Sequence, residues 1–452
     1  MTEWYNNGNL GYMKEKEENN KMEKIISLCK RRGFIFQGSE IYGGLAGTWD
    51  YGPYGVTLKG NAKDSWWQRF VTNREDMYGM DAAILMNQNV WKATGHGGGF
   101  SDPLAECKKF KKRFRTDQLP DKKKCPECNG EMGEERQFNM LFKTHVGALE
   151  DENSVSYLRP ETAQGMFVNY KNIIDSFHPK LPFGMAQIGK AFRNEIAPRD
   201  FTFRAREFEQ MEIEYLVDPK DWKENFEHFR KEMLAWIKEI GIKTDGVYEH
   251  EISDEDRAFY SKRTIDFEFD FPFGRSELYG LAYRTDYDLS RHSASSGVDL
   301  VYLNEETKEK ITPHCIEPSF GLDRTVLAIL SSAYTEDELG GEKRVYLKFV
   351  PKIAPVKVAV FPLLKNKPQL VEKAREVYKT LKKEFGAVEF DDNGNIGKRY
   401  RRQDEIGTPF CITVDFDTLE KNEGVTVRDR DSGKQERVSE KDLIFYLKEK
   451  LV

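Results

Sequence analysis

The segment from Gly189 to Tyr215, GKAFRNEIAPRDFTFRAREFEQMEIEY, constrains the fold of this chain more than any other stretch. It is predicted to form a β-hairpin, with strands over 184–195 and 201–215 and a loop containing Pro198. Side chains two apart share a face of a strand. Arg193 and Glu195 then lie together on the first strand. Arg204, Arg206, Phe208, Gln210 and Glu212 line one face of the second. Its other face carries Phe203, Ala205, Met211, Ile213 and Tyr215, together with Glu207 and Glu209. One side packs into a core, and the other presents arginines, an aromatic ring and acids. Arginine meets phosphate oxygens with paired hydrogen bonds, and a phenylalanine among arginines offers a stacking face for a base. The competing reading is a salt-bridged surface hairpin.

Two further segments carry chemistry. In His314 to Arg324, HCIEPSFGLDR, Glu317 and Ser319 project to one face of a strand. Gly321 ends that strand, and Arg324 falls in the first turn of a helix over 322–333. A cation there opposes the helix dipole, which suggests a bound anion or a partner carboxylate. Pairing with Asp323 or Glu317 is the alternative. In Leu158 to Gly165, LRPETAQG, a strand over 155–159 gives way to a helix opened by Glu161 and Thr162. An acid in that turn is also ordinary capping chemistry.

The remaining sequence bounds the problem. The chain has 452 residues, enough for two or three domains. No apolar run approaches membrane-spanning length, and residues 1–21 form no signal peptide but read as a disordered tail. Six cysteines do not make a disulfide framework. The expectation is a soluble, cytoplasmic protein that does not engage a membrane. No P-loop, GxGxxG, HExxH or GxSxG motif occurs. Phosphate chemistry must therefore rest on side-chain charge. Predicted helices cover 22–32, 56–70 and 218–242, and strands cover 81–86 (DAAILM) and 265–271. A first, larger domain is expected over 22–343, with insertions near 96–140 and 216–264. Proline-bounded residues 351–355 mark a boundary, and strands alternating with helices over 352–452 predict a small α/β domain. Net charge is −6 overall. From Val345 onward, 22 basic residues face 18 acidic ones, leaving the remainder at −10. A basic cluster of Lys398, Arg399, Arg401 and Arg402 suits phosphates, with Tyr400 available to stack on a base; a solvated helix face is the alternative.

Taken together, these segments resemble class II aminoacyl-tRNA synthetases. Phe192-Arg193-Asn194-Glu195 with Arg204 to Phe208 resembles motif 2 of that class, and Gly321 to Arg324 resembles motif 3. The strings DAAILM, RPETAQG and EPSFGLDR, in this order, resemble the homodimeric type of glycyl-tRNA synthetase. Ile396 to Cys411, IGKRYRRQDEIGTPFC, resembles that family's anticodon-binding domain. The likeness runs from about Glu23 to the C-terminus. Two rivals are an ATP-dependent adenylating enzyme that charges something other than tRNA, and a non-catalytic accessory module. The anticodon-like segment argues against the first, and the retained Arg193, Arg204 and Arg324 argue against the second.

The resemblance implies an α+β catalytic domain on an antiparallel sheet, followed by the small α/β anticodon-binding domain, and ATP-dependent attachment of glycine to tRNA(Gly) through a glycyl-adenylate, in a homodimer. Arg193 and Arg324 would be catalytic. ATP would be held by Arg193, Asn194, Glu195, Phe203, Arg204, Phe208, Glu277, Leu278, Gly321 and Arg324, with adenine between Phe208 and Arg324 and Mg²⁺ on Glu277. Glycine would be bound by Arg115, Glu161, Phe208, Gln210, Glu212, Glu317 and Ser319. The basic cluster Lys398, Arg399, Arg401 and Arg402 would bind tRNA. Recognising only an ammonium and a carboxylate, such a pocket would exclude larger amino acids sterically and need no editing domain. Two departures from the family pattern stand out. Gln88 follows DAAILM where motif 1 has a proline. Relatives often carry two CxxC pairs in the insertion, forming a four-thiolate zinc site, whereas here Cys125 and Cys128 form one pair and Cys107 is followed by Phe110. Three thiolates with His96 or His145 can bind Zn²⁺, but a degenerate, metal-free site is the expectation. The GHGGG loop (95–99) would be a lid beside the glycine site.

Overall fold

The structure, a computed structural model, describes residues 20–95, 100–152, 154–258 and 260–451, with the side chain of Gln118 also set aside. Most of the expected tail and of the GHGGG loop, His96 included, lies outside these residues. Among the described residues the larger core is built on a seven-stranded sheet. Its strands are β1 (Met77–Gly79), β2 (Phe183–Phe192), β3 (Glu207–Val217), β4 (Val247–Glu251), β5 (Arg263–Phe271), β6 (Gly274–Thr285) and β7 (His314–Gly321). They lie in the order β4-β5-β6-β7-β3-β2-β1. Neighbours are antiparallel except for the parallel pair β1 and β2.

Period-2 patterning divides the central strands cleanly. Met211, Ile213 and Tyr215 of β3 and Ile316 and Phe320 of β7 are buried on one face. Helices α1 (20–32), α2 (Pro53–Trp67), α3 (Trp222–Glu239) and α4 (Leu322–Ala333) contribute to the same core. Its centre is aromatic: Trp236 meets Phe320 edge to face with centroids 5.4 Å apart, and Phe70 lies 5.3 Å from the same ring. Such pairs add roughly 0.5–1.5 kcal/mol each beyond their buried area. The opposite sheet face carries Gln210, Glu212, Glu214, Glu317 and Ser319, and the candidate site lies over it.

Two predicted elements differ. Of 81–86 only Leu85–Met86 is a strand, paired with Leu158 and Tyr157. The second hairpin strand begins at Glu207 rather than Phe201. Asp200 and Phe201 adopt φ of 58° and 57°, which takes the chain out of the ladder, and Phe201 is held by Trp49 at 4.6 Å. Phe203, Arg204 and Arg206 therefore sit in a loop, not on a strand face. The 96–140 region holds a small three-stranded sheet of Ser101–Glu106, Arg113–Arg115 and Arg136–Asn139.

The C-terminal sheet has five strands: β8 (Val358–Pro362), β9 (Val388–Phe390), β10 (Phe410–Val414), β11 (Val425–Asp429) and β12 (Gln435–Val438), in the order β9-β8-β10-β11-β12. Helix α5 (Pro368–Phe385) contributes Leu370, Ala374 and Leu381 to its separate core. Helix α6 (Ile396–Ile406) starts at an Asn395 cap whose side chain accepts from the Lys398 amide. Buried Arg344, on the hairpin Tyr334–Leu347, ties the two parts together. It bonds Asp337, Asp404 of α6 and the carbonyls of Arg430 and Asp431.

Candidate active site

A cavity of about 530 Å³ opens on the polar face of the large sheet. Its lining includes Arg115, Glu161, Arg193, Glu195, Phe203, Arg204, Phe208, Gln210, Glu212, Glu277, Leu278, Glu317, Ser319, Gly321 and Arg324. The structure thus brings together residues separated by more than 200 positions in sequence. Of the residues expected around the two small substrates, Asn194 is outside this lining; its amide donates to the Met140 carbonyl at 2.8 Å.

One end of the cavity is cationic. Arg193 donates through Nε to the Pro160 carbonyl at 3.1 Å, and its guanidinium lies over Phe208 at 5.3 Å from the ring centre. Arg204 reaches Glu195 at 3.5 Å, and its Nε has no partner. Burial holds its pKa below the ordinary arginine value. Arg324 pairs with Glu277 at 3.0 Å and lies over Phe203 at 4.4 Å. Its charge is the main reason the Glu277 carboxyl is lowered from the usual range. The ring against which Arg324 lies is therefore Phe203, while Phe208 carries Arg193. Three guanidiniums at one end of a pocket suit a triphosphate.

The other end is acidic. Glu161, Glu212 and Glu317 are all buried. Glu212 accepts from Ser319 Oγ at 2.8 Å, from Gln210 Nε2 at 3.3 Å and from Thr162 Oγ1. Burial, with Glu161 nearby, raises its pKa. Burial also pushes the Glu317 carboxyl up to about 8, against the pull of Arg284. Arg115 lies at the rim, ion-paired with Asp102 at 2.7 Å and with Asp117 at 2.8 Å.

Sequence reasoning missed Arg284. This residue is 1% exposed, grips Asp288 through Nε (2.8 Å) and Nη2 (2.9 Å), and gives Nη1 to Glu317 at 2.5 Å. A register shift between Tyr283 and Thr285 in the β6–β7 ladder sets its position. Tyr260 covers the guanidinium at 3.9 Å. Asp323 was also missed as a structural anchor. It accepts from Tyr51 Oη, from Lys59 at 3.0 Å and from the Glu209 amide at 2.7 Å. The residue before Arg324 is thereby locked to β3 and to α2.

The three insertion cysteines meet. Their sulfurs lie within 4.8 Å of one another, and the amides of Phe110 and Gly130 donate to Cys107 and Cys128. This donor set suits a thiophilic ion, but among the described residues no fourth ligand joins it. His145 is engaged with Ser154 at 2.8 Å.

The basic cluster of α6 divides. Lys398 is exposed, Arg401 pairs with Glu342 at 3.1 Å and Arg402 pairs with Asp391. Arg399 departs from expectation. It is 1% exposed and spends its donors on the carbonyls of Pro362, Asp392 and Gly394, so it braces the loop before α6 and offers no surface to a nucleic acid. The Tyr400 ring packs against Phe361 at 5.6 Å, with Arg428 over it at 4.7 Å.

Residues 142–333 match the pattern of the tRNA synthetase class II core domain (G, H, P, S and T), and residues 357–450 match the anticodon binding domain. A glycine–tRNA ligase of Clostridium acetobutylicum is 52% identical over 460 residues, covering 95% of this chain and 98% of the relative. This chain belongs to the glycine–tRNA ligase family. A glycine–tRNA ligase of Lachnospira eligens is also 52% identical, with the same coverage. One from Treponema denticola is 49% identical over 437 residues, covering 94% of the chain and 96% of the relative. In this glycine–tRNA ligase family member, one cavity thus carries both the three guanidiniums and the three buried carboxylates.

Proposed function

We propose that the chain charges tRNA(Gly) with glycine at the expense of ATP, through a glycyl-adenylate. The observation that carries this reading is one cavity with Arg193, Arg204 and Arg324 at one end and the buried Glu161, Glu212 and Glu317 at the other. The carboxylates, with Ser319, take the glycine ammonium, because a buried ammonium needs anionic acceptors. Glycine's carboxylate then faces Arg193. It attacks the α-phosphorus, the bond to the bridging oxygen breaks, and pyrophosphate leaves. Arg193 neutralises charge at the α-phosphate, while Arg204 and Arg324 hold the outer phosphates. No covalent enzyme intermediate is required; positioning and charge stabilisation carry the step. The 3′-terminal hydroxyl of the tRNA next attacks the glycyl carbonyl and releases AMP.

Magnesium is part of this proposal. Glu277 would hold it, with Asp266 alongside, whose carboxyl burial and the Glu277 charge push up to about 7. Carboxylate oxygens suit that ion, which would neutralise phosphate charge. The cysteine cluster would work without zinc: among the described residues three sulfurs come together and no fourth protein ligand joins them. Residues 22–343 form the catalytic domain and residues 352–452 the anticodon reader, using Lys398, Arg401 and Arg402. The chain acts in the cytoplasm as a homodimer. Supporting the dimer, Ile41, Tyr42 and Val56 are 89%, 88% and 57% exposed near one another in sequence, an apolar display suited to a second copy.

Pyrophosphate exchange tests the reading without tRNA, using each of the twenty amino acids. Exchange with glycine alone is expected. Exchange with another amino acid refutes the pocket assignment, and no exchange from protein that still binds ATP refutes adenylation.

A further inference from the structure

Glu214 takes no part in the chemistry above, yet its carboxyl is buried with little compensation. On β3 it follows Glu212 on the same sheet face, and no part of it is exposed. The pairings Glu212↔Ser319 and Tyr215↔Ile316 bracket it opposite Glu317. One oxygen of each of Glu212, Glu214 and Glu317 lies within 4.8 Å of the others. The neighbours have partners: Glu317 has Arg284, and Glu212 has Thr162, Ser319 and Gln210. For Glu214, Oε2 accepts the weak Cys315 thiol at 2.9 Å, and among the described residues Oε1, although buried, has no donor. An ionised carboxylate in that setting is strongly disfavoured. A proton on it removes the charge and gives the group an O–H that can donate to a carboxylate nearby.

We propose that Glu214 is a buried neutral carboxylic acid whose O–H donates to the Glu317 carboxylate, positioning Glu317 to accept the substrate ammonium. The inference rests on the glycine-pocket reading and assigns Glu214 a positioning role, with no contact to substrate. The charges around it agree. Burial and the facing Glu317 push its carboxyl well above the usual range, Arg284 from β6 pulls the other way, and Glu212 on its own strand adds to the rise. Cys315 supplies the remaining facing group.

Two variants and one spectrum test this. Glu214→Gln keeps the shape and the donor, so its glycine KM in pyrophosphate exchange stays within about twofold of the parent, whereas Glu214→Leu deletes the donor and raises glycine KM about tenfold or more, leaving the ATP KM in place. A glycine KM for Glu214→Gln raised as far as that of Glu317→Gln overturns the proposal, since Glu214 would then act as an anion. An unchanged KM in a folded Glu214→Leu overturns it too. If that variant does not fold, infrared difference spectra decide. The parent minus Glu214→Gln above pH 8, where Glu317 is ionised, should show the C=O stretch of a protonated carboxylic acid, shifted in D₂O, and a carboxylate signal instead refutes the assignment. That signature does not require glycine turnover. Failure of the glycine reading, seen as absent glycine-dependent exchange by the parent, is therefore separable from failure of this one.

Discussion

Replacing Arg284 by lysine is the most demanding test of the acidic end of the site. The guanidinium makes three charged hydrogen bonds in a fully buried setting, two to Asp288 and one to Glu317. Lysine keeps the charge but presents a point donor in place of a planar fork, so it cannot reach both carboxylates with the same geometry. One partner is left buried and unpaired. Each lost bond to a charged group costs about 1.5–3 kcal/mol, and breaking a buried pair on one side costs about 3–5 kcal/mol. The expected loss on Arg284→Lys is therefore about 3 kcal/mol, a large part of a typical margin of roughly 5–15 kcal/mol. The released Glu317 takes up a proton more readily, so glycine kcat/KM falls further than ATP kcat/KM. Urea unfolding followed by tryptophan fluorescence reads the first effect, and pyrophosphate exchange under varied glycine and ATP reads the second. An Arg284→Lys variant with parental unfolding midpoint and parental glycine kinetics would refute the claim that this triad holds the pocket.

Other outcomes follow from the same geometry. Because Glu317 carries a raised pKa of about 8, the free enzyme holds it neutral at lower pH; glycine kcat/KM should rise with pH through that value, and a flat profile from about pH 6 to 9 would contradict its anionic role. Asp323→Asn weakens the bonds from Lys59 and Tyr51 that tie the start of α4 to α2 and to the segment before it, costing about 2 kcal/mol in unfolding experiments and lowering ATP turnover through the adjacent Arg324. Lys398→Ala should weaken aminoacylation of tRNA while leaving pyrophosphate exchange intact, whereas Arg399→Ala, which strips three carbonyls of their donor, should lower the melting temperature first. Prolonged dialysis against EDTA, followed by magnesium, should leave both melting and exchange unchanged; loss of either, restored by zinc, would show that the cysteine cluster needs its metal.

The legible parts of the site are those whose meaning is local. Phe208, Gln210, Glu212, Glu317 and Ser319 sit on regular strands, where alternation alone assigns a face, and the structure brings all of them to one cavity. Arg193 lies just past the end of its strand, and its orientation still follows from the Phe192 pairing. Arg204 was harder. Alternation placed it on a strand, but two left-handed residues, Asp200 and Phe201, lift that stretch out of the sheet. Aspartate tolerates that conformation, but phenylalanine does not favour it, so residue type did not carry the turn through Phe201; the Trp49 ring that fixes it comes from about 150 positions away. Partners outside the local sequence also hid Arg284 and Asp323, although Asp288 is only four positions from Arg284. Nothing about an arginine in LAYRTDY or an aspartate in GLDR distinguishes a buried clamp from a solvated charge, because the partners that make it one, Glu317 and Lys59, are not neighbours in sequence.

Arg399 shows the opposite error. Four basic residues in five positions look like a surface, yet a helix turns each by about 100°, so one of them must face inward. The acceptors waiting for it are the backbone carbonyls of Pro362, Asp392 and Gly394, groups that every residue possesses and no composition reveals. Function in this chain is written in side chains whose spacing follows the strand. Support for that function is written in buried polar groups whose spacing follows the tertiary fold, and it is there, at Arg284, Glu214 and Arg399, that mutation tests how the fold holds the site.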